Sequence, residues 1–203
     1  MRTPHVVSGL AVLLLTSLSA PGYATESTPG QSAFVAALAH DALLSANSKT
    51  SSVADRQKRL EGLLDEDFDV PLIASFVLGR YWQNASDSER RKFTAVYRDF
   101  MVRAYAQRFT EYNGESFRIT GQRDDNASST VVSTEISPIK SEPPVKVDWR
   151  VVGKGGYRII DISIGGISMV LAQREEFASS LQRNGGDLAS LIRQMQVKLS
   201  AQQ

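Results

Sequence analysis

Apolar and polar positions along the chain follow a helical period first, then an alternating one, then a helical one again. Residues 32–46 place Phe34, Val35, Leu38, Ala42, Leu43 and Ala46 at helical spacing. After a polar break at 47–52, residues 53–64 put Leu60, Leu63 and Leu64 on one side and leave Arg56, Lys58 and Arg59 to solvent. Asp69-Val70-Pro71 reads as a helix start, because Asp69 can cap and Pro71 lacks only an N–H that the first turn leaves unpaired anyway. That helix runs through Ile73, Phe76, Val77 and Leu78 to a stop at Gly79. Ser86 and Glu89 form a capping box ahead of a long stripe: Phe93, Val96, Tyr97, Phe100, Met101, Ala104, Tyr105, Phe109 and Tyr112, ended by Asn113-Gly114.

Alternation takes over at Phe117 and Ile119, and continues through Val132, Thr134 and Ile136, then Val145, Val147, Trp149 and Val151. A last strand over 157–164 sets Ile160, Ile162 and Ile164 opposite Ile159, Asp161 and Ser163. Turn residues at 124–128, 137–144 and 153–156 predict consecutive hairpins, hence an antiparallel sheet with one covered and one wetter face. Gly165-Gly166 permits a tight bend, and two helices close the chain at about 169–183 and 187–199, parted by Gly185-Gly186 with Asp187 as N-cap. The predicted fold class is α+β: helices packed on one face of a curved antiparallel sheet of four or more strands.

The first residues change the picture of where this domain works. Arg2 and His5 precede an apolar run at 6–18, and Gly22-Tyr23-Ala24 offers small residues at a cleavage site, the pattern of an export signal cut after Ala24. The organisation expected is a signal peptide at 1–24, a flexible leader at 25–31 and a single exported domain at 32–203. Only Arg2 is charged in the first 24 residues, so the remaining 179 carry 22 basic against 22 acidic side chains. A formally neutral chain lacks the basic excess by which nucleic-acid binders displace counterions, so no nucleic-acid partner is expected.

Candidate chemistry is sparse. The chain has no cysteine, which excludes disulfides, thiol nucleophiles and thiolate metal sites, and His40 is the one histidine beyond the export segment. Asp148 and Asp161 sit on neighbouring predicted strands, but Lys146, Arg150 and Arg158 beside them point to cross-strand ion pairs rather than an acid and base couple. If the isoleucines at 160 and 162 mark the covered face, Asp161 points outward. Asn84-Ala-Ser86 and Asn126-Ala-Ser128 match a glycosylation pattern that is short and weakly specific. No catalytic residue, metal site or cofactor is expected.

Four stretches carry a family resemblance: Asp69-Val-Pro-Leu-Ile-Ala-Ser-Phe-Val-Leu-Gly-Arg-Tyr-Trp82, Phe100-Met-Val-Arg-Ala-Tyr105 with Tyr112-Asn-Gly-Glu-Ser116, Val147-Asp-Trp-Arg150, and Asp161-Ile-Ser-Ile-Gly-Gly-Ile-Ser-Met169 leading into Gln173-Arg-Glu-Glu-Phe177. In order and spacing the chain resembles the MlaC (toluene-tolerance) family of periplasmic phospholipid-binding proteins, with the hopanoid-associated HpnM group as a sister. The resemblance implies helices on a twisted sheet with a deep apolar pocket between them for acyl chains. It implies a non-enzymatic shuttle that maintains outer-membrane lipid asymmetry. The implied partners are phospholipid, the substrate-binding subunit of an inner-membrane ABC transporter and an outer-membrane lipoprotein and porin complex. The alternatives are a carrier of hopanoid or another hydrophobic lipid, a ketosteroid-isomerase-like pocket enzyme, and an adaptor without ligand. Burying hydrocarbon is worth about 0.8 kcal/mol per CH₂, so a two-tailed lipid of roughly 30 such groups needs a nearly complete apolar shield. The lining expected for such a pocket is drawn from Phe76, Tyr81, Trp82, Phe100, Tyr105, Val147, Trp149, Ile162, Ile167 and Met169.

Overall fold

The computed structural model describes residues 30–47, 52–106, 116–138, 143–153 and 156–201. The expected export segment and leader, and the end of the aromatic helix at 107–114, lie outside the described residues. The element order is α1 (Gly30–Asn47), α2 (Val53–Asp67), α3 (Val70–Leu78), α4 (Arg80–Asn84), α5 (Asp87–Ala106), β1 (Ser116–Asn126), β2 (Ser129–Ser137), β3 (Val145–Val152), β4 (Arg158–Ile164), β5 (Ile167–Ser168), α6 (Met169–Arg183) and α7 (Leu188–Ser200). This is the α+β class expected. None of the described helices is long and apolar enough to cross a membrane.

Local chemistry sets most boundaries. Asp69 accepts from the Leu72 N–H at 3.0 Å, and Gly79 ends α3 at a φ of 53°, which a side chain would strain. Ser86 and Glu89 exchange hydrogen bonds as a capping box at the start of α5. Ser52 and Asp55 do the same for α2, within what reads in the sequence as a plain polar break. Arg80-Tyr81-Trp82, which has no readable period, folds as the short helix α4.

The five strands form one antiparallel sheet in sequential order, β1-β2-β3-β4-β5. Two details differ from the alternation in the sequence. The expected loop at 124–128 shrinks to a two-residue turn, because β1 runs to Asn126 and the Asn126 side chain accepts from Ser128 N and Oγ, both at 2.9 Å. The Gly165-Gly166 bend, at φ of 57° and 84°, folds Ile167 and Ser168 back on β4 as a fifth strand, paired Ser163 to Ser168 and Ile164 to Ile167.

Three apolar clusters make the core. The largest joins α3, α5, α6 and α7 around Ile73, Val77, Phe93, Tyr97, Phe177 and Leu181, and takes in Ile160 from β4. The second sets Val35 and Leu38 of α1 on Val132, Val151 and Ile159 of the sheet. The third holds Leu60 and Leu64 of α2 against Val102 of α5. Phe68, at the end of α2, packs against all three. Its neighbour Asp69 donates its backbone N–H to Ile159 at 3.0 Å, and Phe68 bridges Ile159 in parallel, so the α2–α3 connection is strapped to β4.

Candidate functional site

Where the three clusters meet they do not close, and a cavity of about 220 Å³ remains. Its sheet wall is Ile136, Val147, Trp149, Ile162 and Ile164, carried by neighbouring strands in the register Val147 to Ile164 and Trp149 to Ile162, with the buried carboxyl side chain of Asp161 also reaching the lining. Its helical walls are Leu60, Leu63 and Leu64 of α2, Ile73 of α3, Tyr97, Met101 and Tyr105 of α5, and Met169, Val170 and Gln173 of α6, with Leu38 and Phe68 completing it. Side chains with polar tips are turned so that those tips are satisfied. The Trp149 indole N–H donates to Thr134 Oγ1 at 3.0 Å, and that hydroxyl donates to Val147 O at 2.8 Å, leaving the ring as apolar wall. Tyr97 donates its hydroxyl to Gln173 Oε1, and burial pushes the phenol far above its ordinary pKa, so it stays neutral.

Of the ten residues expected from the sequence, the structure brings Tyr105, Val147, Trp149, Ile162 and Met169 to this cavity. The other five sit elsewhere. Phe76 and Ile167 are 45% and 63% exposed, on the outer side of α3 and in β5. Tyr81 and Phe100 pack at the margin of the largest cluster, Phe100 edge-on to Phe177 at 6.2 Å. Trp82 lines a separate groove described below. The sequence reading missed the α2 leucines, whose helical spacing marks a face without saying what it faces. It also missed Phe68, which belongs to no periodic run.

Asp161 and Asp148 depart from the ion pairs expected of them. Asp148 accepts from Ser133 Oγ at 2.6 Å, and Arg150 approaches Asp125 at 3.6 Å. Asp161 is buried, 8% exposed, where strict alternation turns it outward. Its pairing is the one alternation gives, Asp161 opposite Arg150 and Ile162 opposite Trp149; the slip between Arg150 and Val151 makes Ile160 a bulge and brings Ile159 and Ile160 both into the core, but leaves that phase alone. What buries Asp161 is the hairpin at Gly165-Gly166, which lays the start of α6 over the carboxylate, so that it accepts from Ser168 Oγ at 2.6 Å and from Val170 N at 3.2 Å. Asp161 thus fastens the cavity's α6 wall to the sheet. Asp161→Ala should lower stability by about 1–3 kcal/mol, the cost of stranding these buried donors, read as the shift in urea midpoint. A midpoint equal to that of the unsubstituted protein would remove the fastening role.

His40 is exposed on α1, and Asn84 and Asn126 end α4 and β1. Among the described residues no group of three or more His, Asp or Glu is placed to hold a metal ion. What the fold and site define is an α+β domain that encloses a largely apolar cavity between sheet and helices, with Asp161 and Gln173 as its hydrogen-bonded polar groups.

The family model described as "MlaC protein" matches residues 36–197, and the chain belongs to the MlaC family. It is 24% identical over 193 residues to the toluene tolerance protein ttg2D of Pseudomonas putida, covering 94% of this chain and 79% of that protein. It is 25% identical over 130 residues to the intermembrane phospholipid transport system binding protein MlaC of Haemophilus influenzae, covering 62% of this chain and 60% of that one. A phospholipid-binding protein of Ralstonia solanacearum, solved with a phospholipid bound, has the same fold: TM-score 0.71 at 19% identity, over 83% of this chain and 96% of that one.

Proposed function

We propose that this protein is a periplasmic phospholipid carrier that holds acyl chains in the cavity between sheet and helices, performs no covalent step, and passes its cargo between an inner-membrane ABC transporter's substrate-binding subunit and an outer-membrane lipoprotein and porin complex. The observation that carries the reading is a largely apolar cavity whose polar lining groups, Asp161 and Gln173, are engaged in hydrogen bonds, in a chain of the MlaC family with a relative named for phospholipid transport. The export pattern at residues 1–24 supports the compartment. At about 220 Å³ the cavity is smaller than the ~300 Å³ and upward typical of small-ligand sites, so loading a two-tailed lipid requires the elements around it to part. The described residues offer that seam, since the cavity lies between packed clusters rather than inside one.

The full chain, exported in a bacterial host and purified without detergent, should show in native mass spectra an added mass that disappears on denaturation and extracts as a diacyl lipid. A hopanoid-like mass would transfer the assignment to the HpnM-type cargo. Protein that is homogeneous without added mass, and stays so after incubation with liposomes, would overturn the carrier reading in favour of an adaptor or a pocket enzyme.

A further inference from the structure

A second cavity, about 550 Å³ and larger than the first, lies on the other side of α2, between α2, the start of α3, α4 and the outer face of α5. Its floor is apolar, with Leu64, Phe68, Val70, Pro71 and Trp82. Its α5 wall carries three arginines, Arg90, Arg91 and Arg98, against two carboxylates, Asp65 and Asp87. The charges are not equally committed. Arg98 is held in a two-pronged pair with Asp65, both contacts 2.6 Å, which pulls that carboxyl below its ordinary pKa. Arg90 lies over the Trp82 ring, donates to the backbone oxygens of Trp82 and Gln83 at 3.0 and 3.3 Å, and has Asp87 only at 3.5 Å. Arg91 is exposed and has no ion-pair partner among the described residues. The groove therefore combines a hydrocarbon floor with a cationic rim.

Leu64 and Phe68 line this groove and the inner cavity alike. The two spaces are separated by these side chains, and Phe68 sits at the common junction of the three core clusters. We propose that the groove receives the anionic phosphate end of the carrier's cargo, with Arg91 and Arg90 as its counter-charges, while the hydrocarbon passes Leu64 and Phe68 into the inner cavity. This rests on the carrier reading and adds to it the end of the molecule from which lipid enters. On β4, Ile164 lines the cavity and is 36% exposed beside Ile167 at 63%, an apolar border with none of these arginines.

The test uses the full exported chain, labelled for amide NMR and loaded from phosphatidylglycerol vesicles doped with a phospholipid that bears a nitroxide on its headgroup. Broadening of the Arg91, Thr94 and Ala95 amides is expected. In parallel, Arg91→Glu should lower the ratio of phosphatidylglycerol to phosphatidylethanolamine taken from mixed vesicles by up to about fivefold, the upper range for one partly exposed charge, and Arg91→Lys should preserve it. Broadening confined to Ile164, Ile167 and Leu171, or a ratio indifferent to Arg91→Glu, would overturn the assignment. Shifts of the α5 amides by inorganic phosphate alone, as large as those by lipid, would also overturn it, reducing the groove to a general anion site. Lipid held in the mass spectra with α5 undisturbed removes only this inference, whereas no lipid held at all removes the carrier reading beneath it.

Discussion

Replacing Ile162 by asparagine is expected to lower the lipid retained through purification by about tenfold or more while leaving the circular dichroism spectrum unchanged. Ile162 pairs with Trp149 across β3 and β4 and presents its side chain to the cavity. Asparagine is close in size, so the strand and its register stay, but an amide now faces hydrocarbon with no partner. Burying such a group costs about 1–3 kcal/mol, and each 1.4 kcal/mol is a tenfold change in affinity. The paired control is Val197→Asn on α7, at a position that is 66% exposed and outside the cavity lining, where retained lipid should not change. Native mass spectrometry of both variants decides the matter. Full occupancy in the Ile162 variant would mean that the cavity between sheet and helices is not where cargo lies.

The largest loss of stability is expected at Phe177. Its ring meets Phe93 at 5.9 Å, Tyr97 at 6.2 Å and Phe100 at 6.2 Å, all at steep angles, and it is 5% exposed. Phe177→Ala leaves a hole among rings that are themselves fixed by α3 and α7, and such truncations cost about 3–5 kcal/mol. In a chain of this size that lowers the melting temperature by roughly 6–20 °C. Phe76→Ala, on the exposed side of α3, should shift it by no more than a degree or two, since surface changes stay within about 0.5 kcal/mol. Thermal unfolding of the two variants side by side checks the contrast. Equal shifts would show that the aromatic cluster is not the centre of the largest core.

These two phenylalanines also show what the sequence discloses and what it does not. Asp69, Pro71, Gly79, Ser86, Glu89 and Asp187 act through bonds to residues a few positions away, so their roles as starts and stops can be read directly from the chain. Phe76 and Phe177 both fall in helical patterns rich in apolar residues, and only the packing of α3 on α6 decides that one is outside and the other inside. The same limit applied to the cavity. Val147, Trp149 and Ile162 could be named because alternation puts them on one face of a sheet whose other face is polar. The α2 leucines and Phe68 could not, because which element α2 faces is a tertiary fact. Asp161 is the instructive failure: alternation gives its face correctly, opposite Ile162, and only the return of α6 over that face, again a tertiary fact, buries it.

The strap between Asp69 and Ile159 has a bearing on how the chain reaches this state. It joins positions about ninety residues apart, and Phe68, which it fixes, completes all three apolar clusters. Contacts of such long sequence separation form late, because loop closure must precede the reward of packing. Until β4 has emerged, the amino-terminal helices lack the edge to which they are tied, and none of the clusters can reach its final packing. A chain built in this way gains its rigidity only once nearly all of it is present to pack, so a truncation that ends before β4 should leave every one of the three clusters loose.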